Sequence, residues 1–293
     1  MASTPMERLR TDELTEAPLP RRIAAVLKAA SGKPDPKYFT SAVIVAAGAS
    51  SRMESGSKQM MLLMGMPVIV HTLRAFDETP CIHEIVVVAK RSEIKEYDEL
   101  IRRYGLRKIV KVIEGGATRQ ESVRLGLDAV HPKSAYIAIA DGARCLVTEE
   151  MITRVCRNAY IHGAATAATR ATDTVKLGEK NAFIESTTER KHTWLAQTPQ
   201  VFKTNLYRAA AYTALESKFE GTDDNSLVEE IDYPVKLVEC GKENMKITTP
   251  IDLYLAEAIL RYRRDTHPFA EKELPPEAKE ETGAESLEAE DEV

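Results

Sequence analysis

Arg52 and Lys58 lie close together in a loop that follows an apolar run, Ala42-Val-Ile-Val-Ala. The residues leading into the loop are small: Ala46-Ala-Gly-Ala-Ser-Ser-Arg-Met, then Ser57-Lys-Gln. Small side chains let backbone N–H groups approach a polyphosphate, and two cations on one loop supply charge to hold it. By spacing alone, an ordinary strand-to-helix turn accounts for the loop equally well. The common phosphate motifs are absent, since G-x-G-x-x-G needs three spaced glycines where only Gly48 stands, and no G-x-x-x-x-G-K-[ST] occurs. A dehydrogenase is therefore a poor fit.

Two further loops carry chemistry. In Gly115-Gly-Ala-Thr-Arg-Gln-Glu-Ser-Val, paired glycines open a helix whose first turn offers N–H donors, the Ser122 hydroxyl and Arg119 to an anion or a base edge. A plain glycine turn before a capped helix is the alternative. In Asp141-Gly-Ala-Arg, Asp141 could hold Mg²⁺ or a ligand hydroxyl while Arg144 meets a phosphate, or the two could simply pair with each other. The six histidines fall outside these motifs, and the four cysteines, Cys81, Cys145, Cys156 and Cys240, form no C-x-x-C pair. Their spacing fits reduced, buried thiols better than a metal site.

The elements that must position these loops alternate. Apolar runs at Ala42–Ala46, Glu84–Ala89, Lys108–Ile113 and Ala135–Ala140 read as strands. Each precedes a helical pattern, at Val68–Phe76, Tyr97–Tyr104, Glu121–Val130 and Met151–Tyr160. Strands apolar on both faces need helices on both sides. The expected fold is a three-layer α/β/α sandwich with a mostly parallel, Rossmann-like sheet, and its ligands should bind beyond the carboxyl ends of the strands. The segment 169–196 breaks the rhythm and reads either as a projecting β-arm or as a plain surface hairpin.

One catalytic domain is expected over 39–265, with an N-terminal extension at 1–38 and an acidic, disordered tail at 266–293. From Ala270 to Val293 ten acidic residues face two lysines, a net charge of −8 that leaves +3 for the rest of the chain. A body so nearly neutral lacks the broad basic surface of a nucleic-acid binder. No signal-peptide pattern and no long apolar span is present, so a cytoplasmic protein without membrane attachment is expected.

Taken in order, these motifs resemble the 2-C-methyl-D-erythritol 4-phosphate cytidylyltransferase family of the nucleotide-diphospho-sugar transferase fold. The likeness covers about 40–262. It continues through Asp173-Thr-Val-Lys, Arg190, Trp194-Leu-Ala-Gln-Thr-Pro-Gln-Val-Phe, Thr222-Asp-Asp and Asn244-Met-Lys-Ile-Thr-Thr-Pro-Ile-Asp-Leu.

The resemblance implies an enzyme of the non-mevalonate isoprenoid precursor pathway that joins CTP to a small sugar-alcohol phosphate and releases pyrophosphate. Ala46, Ala47, Gly48, Ala49, Ser50, Lys58, Gly116, Arg119, Ser122, Asp141 and Gly142 would hold CTP. Arg52 and Lys58 would steady the triphosphate. Asp141, Arg144, Thr174, Arg190, Thr198, Thr222 and Lys246 would hold the acceptor, with Arg190 and Lys246 aiming its phosphate. Mg²⁺ would ride mainly on the CTP phosphates, with Asp141 as its protein ligand. The arm would reach across a homodimer, so that each site borrows residues from its partner.

The sequence departs from the family at Ser50, where a second glycine is usual, at Ser57, where proline is usual, and at Cys145, where proline follows the arginine. The run from Arg52 to Lys58 is one residue short. A ribitol-phosphate cytidylyltransferase is the nearest rival reading, and a catalytically silent nucleotide-binding relative is another.

Overall fold

In the computed structural model, residues 38–48 and 57–266 are described. Ala49, Ser50 and Arg52 lie outside them, as do nearly all of the N-terminal extension and the acidic tail.

Four β-branched segments form β1 (Thr40–Val45), β4 (Glu84–Ala89), β5 (Ile109–Glu114) and β6 (Tyr136–Asp141), with a small β2–β3 pair (Leu62–Leu63, Met66–Pro67) between the first two. The helices that follow are α1 (Val68–Glu78), α2 (Ile94–Arg103), α3 (Arg119–Ala129) and α4 (Glu149–His162). Next come β7 (Ala164–Arg170), β8 (Lys176–Gly178), β9 (Ile184–Thr187) and β10 (Trp194–Lys203). The chain ends with α5 (Thr204–Ser217), α6 (Asp224–Glu229), β11 (Lys236–Glu239) and α7 (Pro250–Thr266).

The main sheet runs β11-β7-β10-β6-β1-β4-β5. It is mostly parallel; only β10 lies antiparallel to its two neighbours. Side chains alternate across it with period two. Ala42, Ile44, Ile85, Val87, Ala138 and Ala140 pack under α1, α2 and α4. Val43, Val45, Val86, Val88, Ile137 and Ile139 pack under α3, α5 and α6. Two helical layers on one sheet make the expected three-layer sandwich.

β7, Ala-Ala-Thr-Ala-Ala-Thr-Arg, has few of the residues that favour strands, yet its first six positions are buried between β10 and β11. Burial between two strands here outweighs weak local propensity. The segment 169–196 contains a separate two-stranded sheet, β8 with β9, whose residues are all exposed. Leu177 and Ile184 on it, and Phe183 in the connection between its strands, are large, apolar and open to solvent.

Candidate active site

The register of β1 against β6 places Val45 beside Asp141, so the loops leaving both strands begin side by side. Three bonds tie these strand ends together: Ala46 N–H donates to Val88 O (2.7 Å), Gly115 N–H to Ala89 O (2.9 Å) and Gly142 N–H to Val45 O (2.9 Å). Gly115 has no room for a side chain, because a Cβ there would collide with Ala47 Cβ and come within 2.9 Å of Ser122 Oγ.

Asp141, the last residue of β6, is 7% exposed and faces three cations. Lys246 Nζ lies 3.0 Å from Oδ2, Arg119 Nε 3.3 Å from Oδ1 and Arg144 Nε 3.6 Å from Oδ2. Burial pushes this carboxyl upward, but the charges of Lys246, Arg119 and Arg144 outweigh it and hold the group at about 2. Asp141 is therefore ionised at neutral pH. Its N–H donates to Thr198 Oγ1 (3.0 Å), which fixes the strand end.

Each cation is itself held. Arg119, in the first turn of α3, also reaches Asp224 Oδ2 (2.8 Å). Asp224 is buried and accepts from Tyr207 O–H (2.6 Å), while its own N–H donates to Gln200 Oε1 (3.0 Å). Burial raises the Asp224 carboxyl, opposed by Arg119 and by the Tyr207 hydrogen bond. Arg144 donates to Asn244 O (2.7 Å). Lys246 stands between two anchors. The fully buried Asn244 donates to Gln197 Oε1 (3.1 Å) and Thr198 O (2.9 Å), and Ile247 N–H donates to Ala143 O (2.8 Å).

A cleft over Asp141 is lined by Ala47, Gly48, Lys58, Gly116, Arg119 and Lys246 among others. Lys58 is carried there on a segment pinned by its buried neighbour Gln59, whose carbonyl accepts from Ile69 N–H (2.9 Å). A second concavity shares Lys246 and extends past Arg144 to Arg170, Gln197 and Lys242. The two depressions meet at Lys246, so an anion in one can approach an anion in the other between fixed positive charges.

The start of α3 has the capped glycine turn that the sequence left open as the alternative. Gly116 N–H already donates to Ser122 Oγ (3.1 Å) and Ala117 N–H to Glu121 Oε2 (2.7 Å), while Thr118 Oγ1 caps the helix by accepting from Glu121 N–H (3.0 Å). Three of the turn's N–H donors are thus met by side chains of the turn itself. Ser122 lines the cleft and also accepts from the Gly116 N–H of this turn.

The structure thus brings together Ala47, Gly48, Lys58, Gly116, Arg119, Ser122, Asp141 and Lys246, with Arg144 and Thr198 behind them and Ala46 and Gly142 at the strand ends. It does not bring Thr174, Arg190 or Thr222 to either concavity within one chain. Thr174 and Arg190 belong to the arm segment and are exposed, with Arg190 donating to Thr172 O (3.3 Å). Thr222 is exposed just before the Asp223 cap of α6.

Asp224, Tyr207 and Asn244 were absent from the sequence-based assignment. Asp224 and Asn244 sat inside recognised motifs, Thr222-Asp-Asp and Asn244-Met-Lys, whereas Tyr207 gave no signal. Among the described residues no group of three His, Cys, Asp or Glu could form a metal cage. Asp141 is the sole carboxylate among the described residues that line the cleft. A single ionised carboxylate suits a cation that arrives on phosphate oxygens and keeps much of its water.

Comparison with known proteins agrees with this geometry. Residues 40–262 match the family model for 2-C-methyl-D-erythritol 4-phosphate cytidylyltransferase. The enzyme of that name from Syntrophus aciditrophicus is 44% identical over 222 residues, covering 75% of this chain and 95% of the relative. That from Caldanaerobacter subterraneus is 43% identical over 223 residues, covering 75% and 98%. Among solved structures, 4-diphosphocytidyl-2C-methyl-D-erythritol synthase from Anaerococcus prevotii superposes with a TM-score of 0.69 at 30% identity, over 77% of this chain and 99% of that one. The Thermus thermophilus cytidylyltransferase gives 0.61 at 33% identity, over 75% and 98%.

Proposed function

The chain belongs to the 2-C-methyl-D-erythritol 4-phosphate cytidylyltransferase family, and on that premise we propose that it joins CTP to 2-C-methyl-D-erythritol 4-phosphate at the Asp141 cleft, releasing pyrophosphate. The observation that carries this reading is the convergence of Lys246, Arg119 and Arg144 on Asp141 where the two concavities meet.

The nucleophile is an acceptor phosphate oxygen, anionic near neutral pH, so no general base is needed. The barrier is one of charge: an anion must approach a polyanion, and a second polyanion must leave. Fixed cations and positioning answer that requirement. Lys58 and Arg119 face the triphosphate, while Lys246 and Arg144 face the acceptor phosphate. Ala46 to Gly48 and Gly116 let the nucleotide lie close to the backbone.

Mg²⁺, held by Asp141 and by CTP itself, would neutralise phosphate charge. Arg52 would add a further cation on the triphosphate side. Thr174 and Arg190 are exposed and line neither concavity of their own chain. Together with apolar Leu177, Phe183 and Ile184, their exposure supports an arm that reaches the site of a second copy in a homodimer. Among the described residues no helix is long and apolar enough to cross a membrane.

The test is pyrophosphate release from CTP with Mg²⁺ and 2-C-methyl-D-erythritol 4-phosphate, with ribitol 5-phosphate in parallel. Release dependent on the methylerythritol phosphate is expected. Release with ribitol phosphate alone would overturn the substrate, and release with neither would overturn the activity.

A further inference from the structure

Four cations line the second concavity, Arg144, Arg170, Lys242 and Lys246, and among the described residues no acid lines it. They fall into two pairs. Arg144 and Lys246 share the carboxylate of Asp141 at the end of β6. Arg170 is the last residue of β7, which lies two strands from β6 across β10, and Lys242 follows β11, the strand beyond β7. At about 4.8 Å per strand, the strands that carry Asp141 and Arg170 are roughly 10 Å apart.

The outer pair is held in place without being neutralised. Arg170 Cζ sits 4.3 Å from the centre of the Trp194 ring, and its Nη1 donates to Lys191 O (3.0 Å). Lys242 Nζ donates to Thr172 Oγ1 (2.9 Å). The backbone around Lys242 is fixed on both sides, since Gln197 Nε2 donates to Gly241 O (3.0 Å) and Asn244 is fully buried. Acids nearby in the chain are engaged elsewhere, Glu243 with Arg263 (3.0 Å) and Glu189 with Lys191 (2.6 Å). Among the described residues no carboxylate forms an ion pair with Arg170 or Lys242. Ring stacking and bonds to neutral oxygens thus orient both side chains and leave their charge for an anion.

We propose that Arg170 and Lys242 form an oxyanion subsite at the outer end of this concavity, which takes a phosphate group separate from the one that Lys246 and Arg144 face. In the proposed reaction the acceptor carries a single phosphate, and the inner pair meets it. The outer pair suits another anion, either inorganic phosphate or the phosphate monoester of a second small molecule. That this anion is a second one rests on the proposed reaction; its binding does not.

Trp194, the chain's one tryptophan, reports on Arg170 directly. The experiment titrates the full-length protein, without CTP, with inorganic phosphate and separately with glycerol 3-phosphate, against a matched titration with chloride, and follows Trp194 emission. A saturable change is expected with phosphate and none with chloride. Lys242→Ala should raise the half-saturating concentration about tenfold, as loss of one charge-assisted hydrogen bond requires. Lys246→Ala should move it by less than about threefold, because Lys246 is already paired with Asp141 at the other end. Circular dichroism of both variants checks that they fold. Saturation by the ester as well as by inorganic phosphate identifies a monoester site, and saturation by inorganic phosphate alone a free-ion site. No saturable change with either probe, the same change with chloride, or a shift in Lys246→Ala as large as that in Lys242→Ala overturns the subsite. Each of these outcomes leaves the cytidylyltransferase reading standing, since pyrophosphate release, measured apart, decides it.

Discussion

Lys246 Nζ lies 3.0 Å from Asp141 Oδ2, a pair made by the end of β6 and a loop far along the chain. Among the described residues Asp141 is the anionic partner of Lys246, which lies at the junction of two depressions. Lys246→Ala should therefore leave CTP binding nearly intact and lower kcat/KM for the acceptor by about a hundredfold or more, on the order of 3 kcal/mol. Steady-state kinetics with each substrate varied in turn measures the split. An equal loss for CTP and acceptor would contradict the placement.

Lys58 stands on the nucleotide side, carried by the segment that Gln59 pins. Replacing it by alanine should slow the chemical step by roughly a hundredfold with little change in acceptor KM. Single-turnover quench measurements separate chemistry from product release. A normal single-turnover rate would remove Lys58 from the mechanism.

Arg119 neutralises the buried Asp224 as well as facing Asp141. Removing it strands a carboxylate in the core, so Arg119→Ala should cost about 3 to 5 kcal/mol of folding stability besides weakening CTP binding. Adding Asp224→Asn to Arg119→Ala removes the stranded charge and should restore part of the stability but none of the affinity. Urea titration and CTP binding, measured on both variants, tell these effects apart.

Asp141 makes stability depend on pH in a defined window. Its folded-state value of about 2 lies below the ordinary 3.8, so the folded protein holds this proton more weakly than the unfolded chain. The contribution is complete above about pH 4, on the order of 2 kcal/mol, and is lost as pH falls towards 2. Denaturant melts between pH 6 and pH 2 should show that loss in the parent chain and a smaller one in Asp141→Asn.

Gly115→Ala tests the turn itself. The new Cβ would collide with Ala47 Cβ and crowd Ser122 Oγ and Val88, none of which is the free end of a flexible chain. About 1 to 3 kcal/mol of stability should be lost, and CTP KM should rise because Ala47 lines the cleft. Thermal melts and CTP-dependent rates measure both. Unchanged values would show that the backbone can yield at this turn.

Much of the architecture was legible because it is written in short-range patterns. Glu84–Ala89 is apolar at every position after its first, as a doubly covered strand requires, and it forms the strand read from the sequence. β7 was not legible, since a run of alanine and threonine acquires strand character only from the neighbours that bury it. The arm segment could be read as a break in rhythm, but its exposed apolar tip appears only once the fold separates it from the core.

The site divides in the same way. By itself the sequence determined the order of strand, loop and helix, the chemical type of each loop and membership of the family, because those depend on residue identity and local spacing. Tertiary structure decided which charges meet: that Lys246, Arg119 and Arg144 share Asp141, that Arg119 is braced by a buried Asp224, and that Ser122 and Glu121 accept from the Gly116 and Ala117 N–H groups of their own turn. It also kept Thr174, Arg190 and Thr222 away from the cleft of their own chain. Ion pairs between distant segments are set by crossover geometry and side-chain direction, and neither leaves a periodic trace in the sequence.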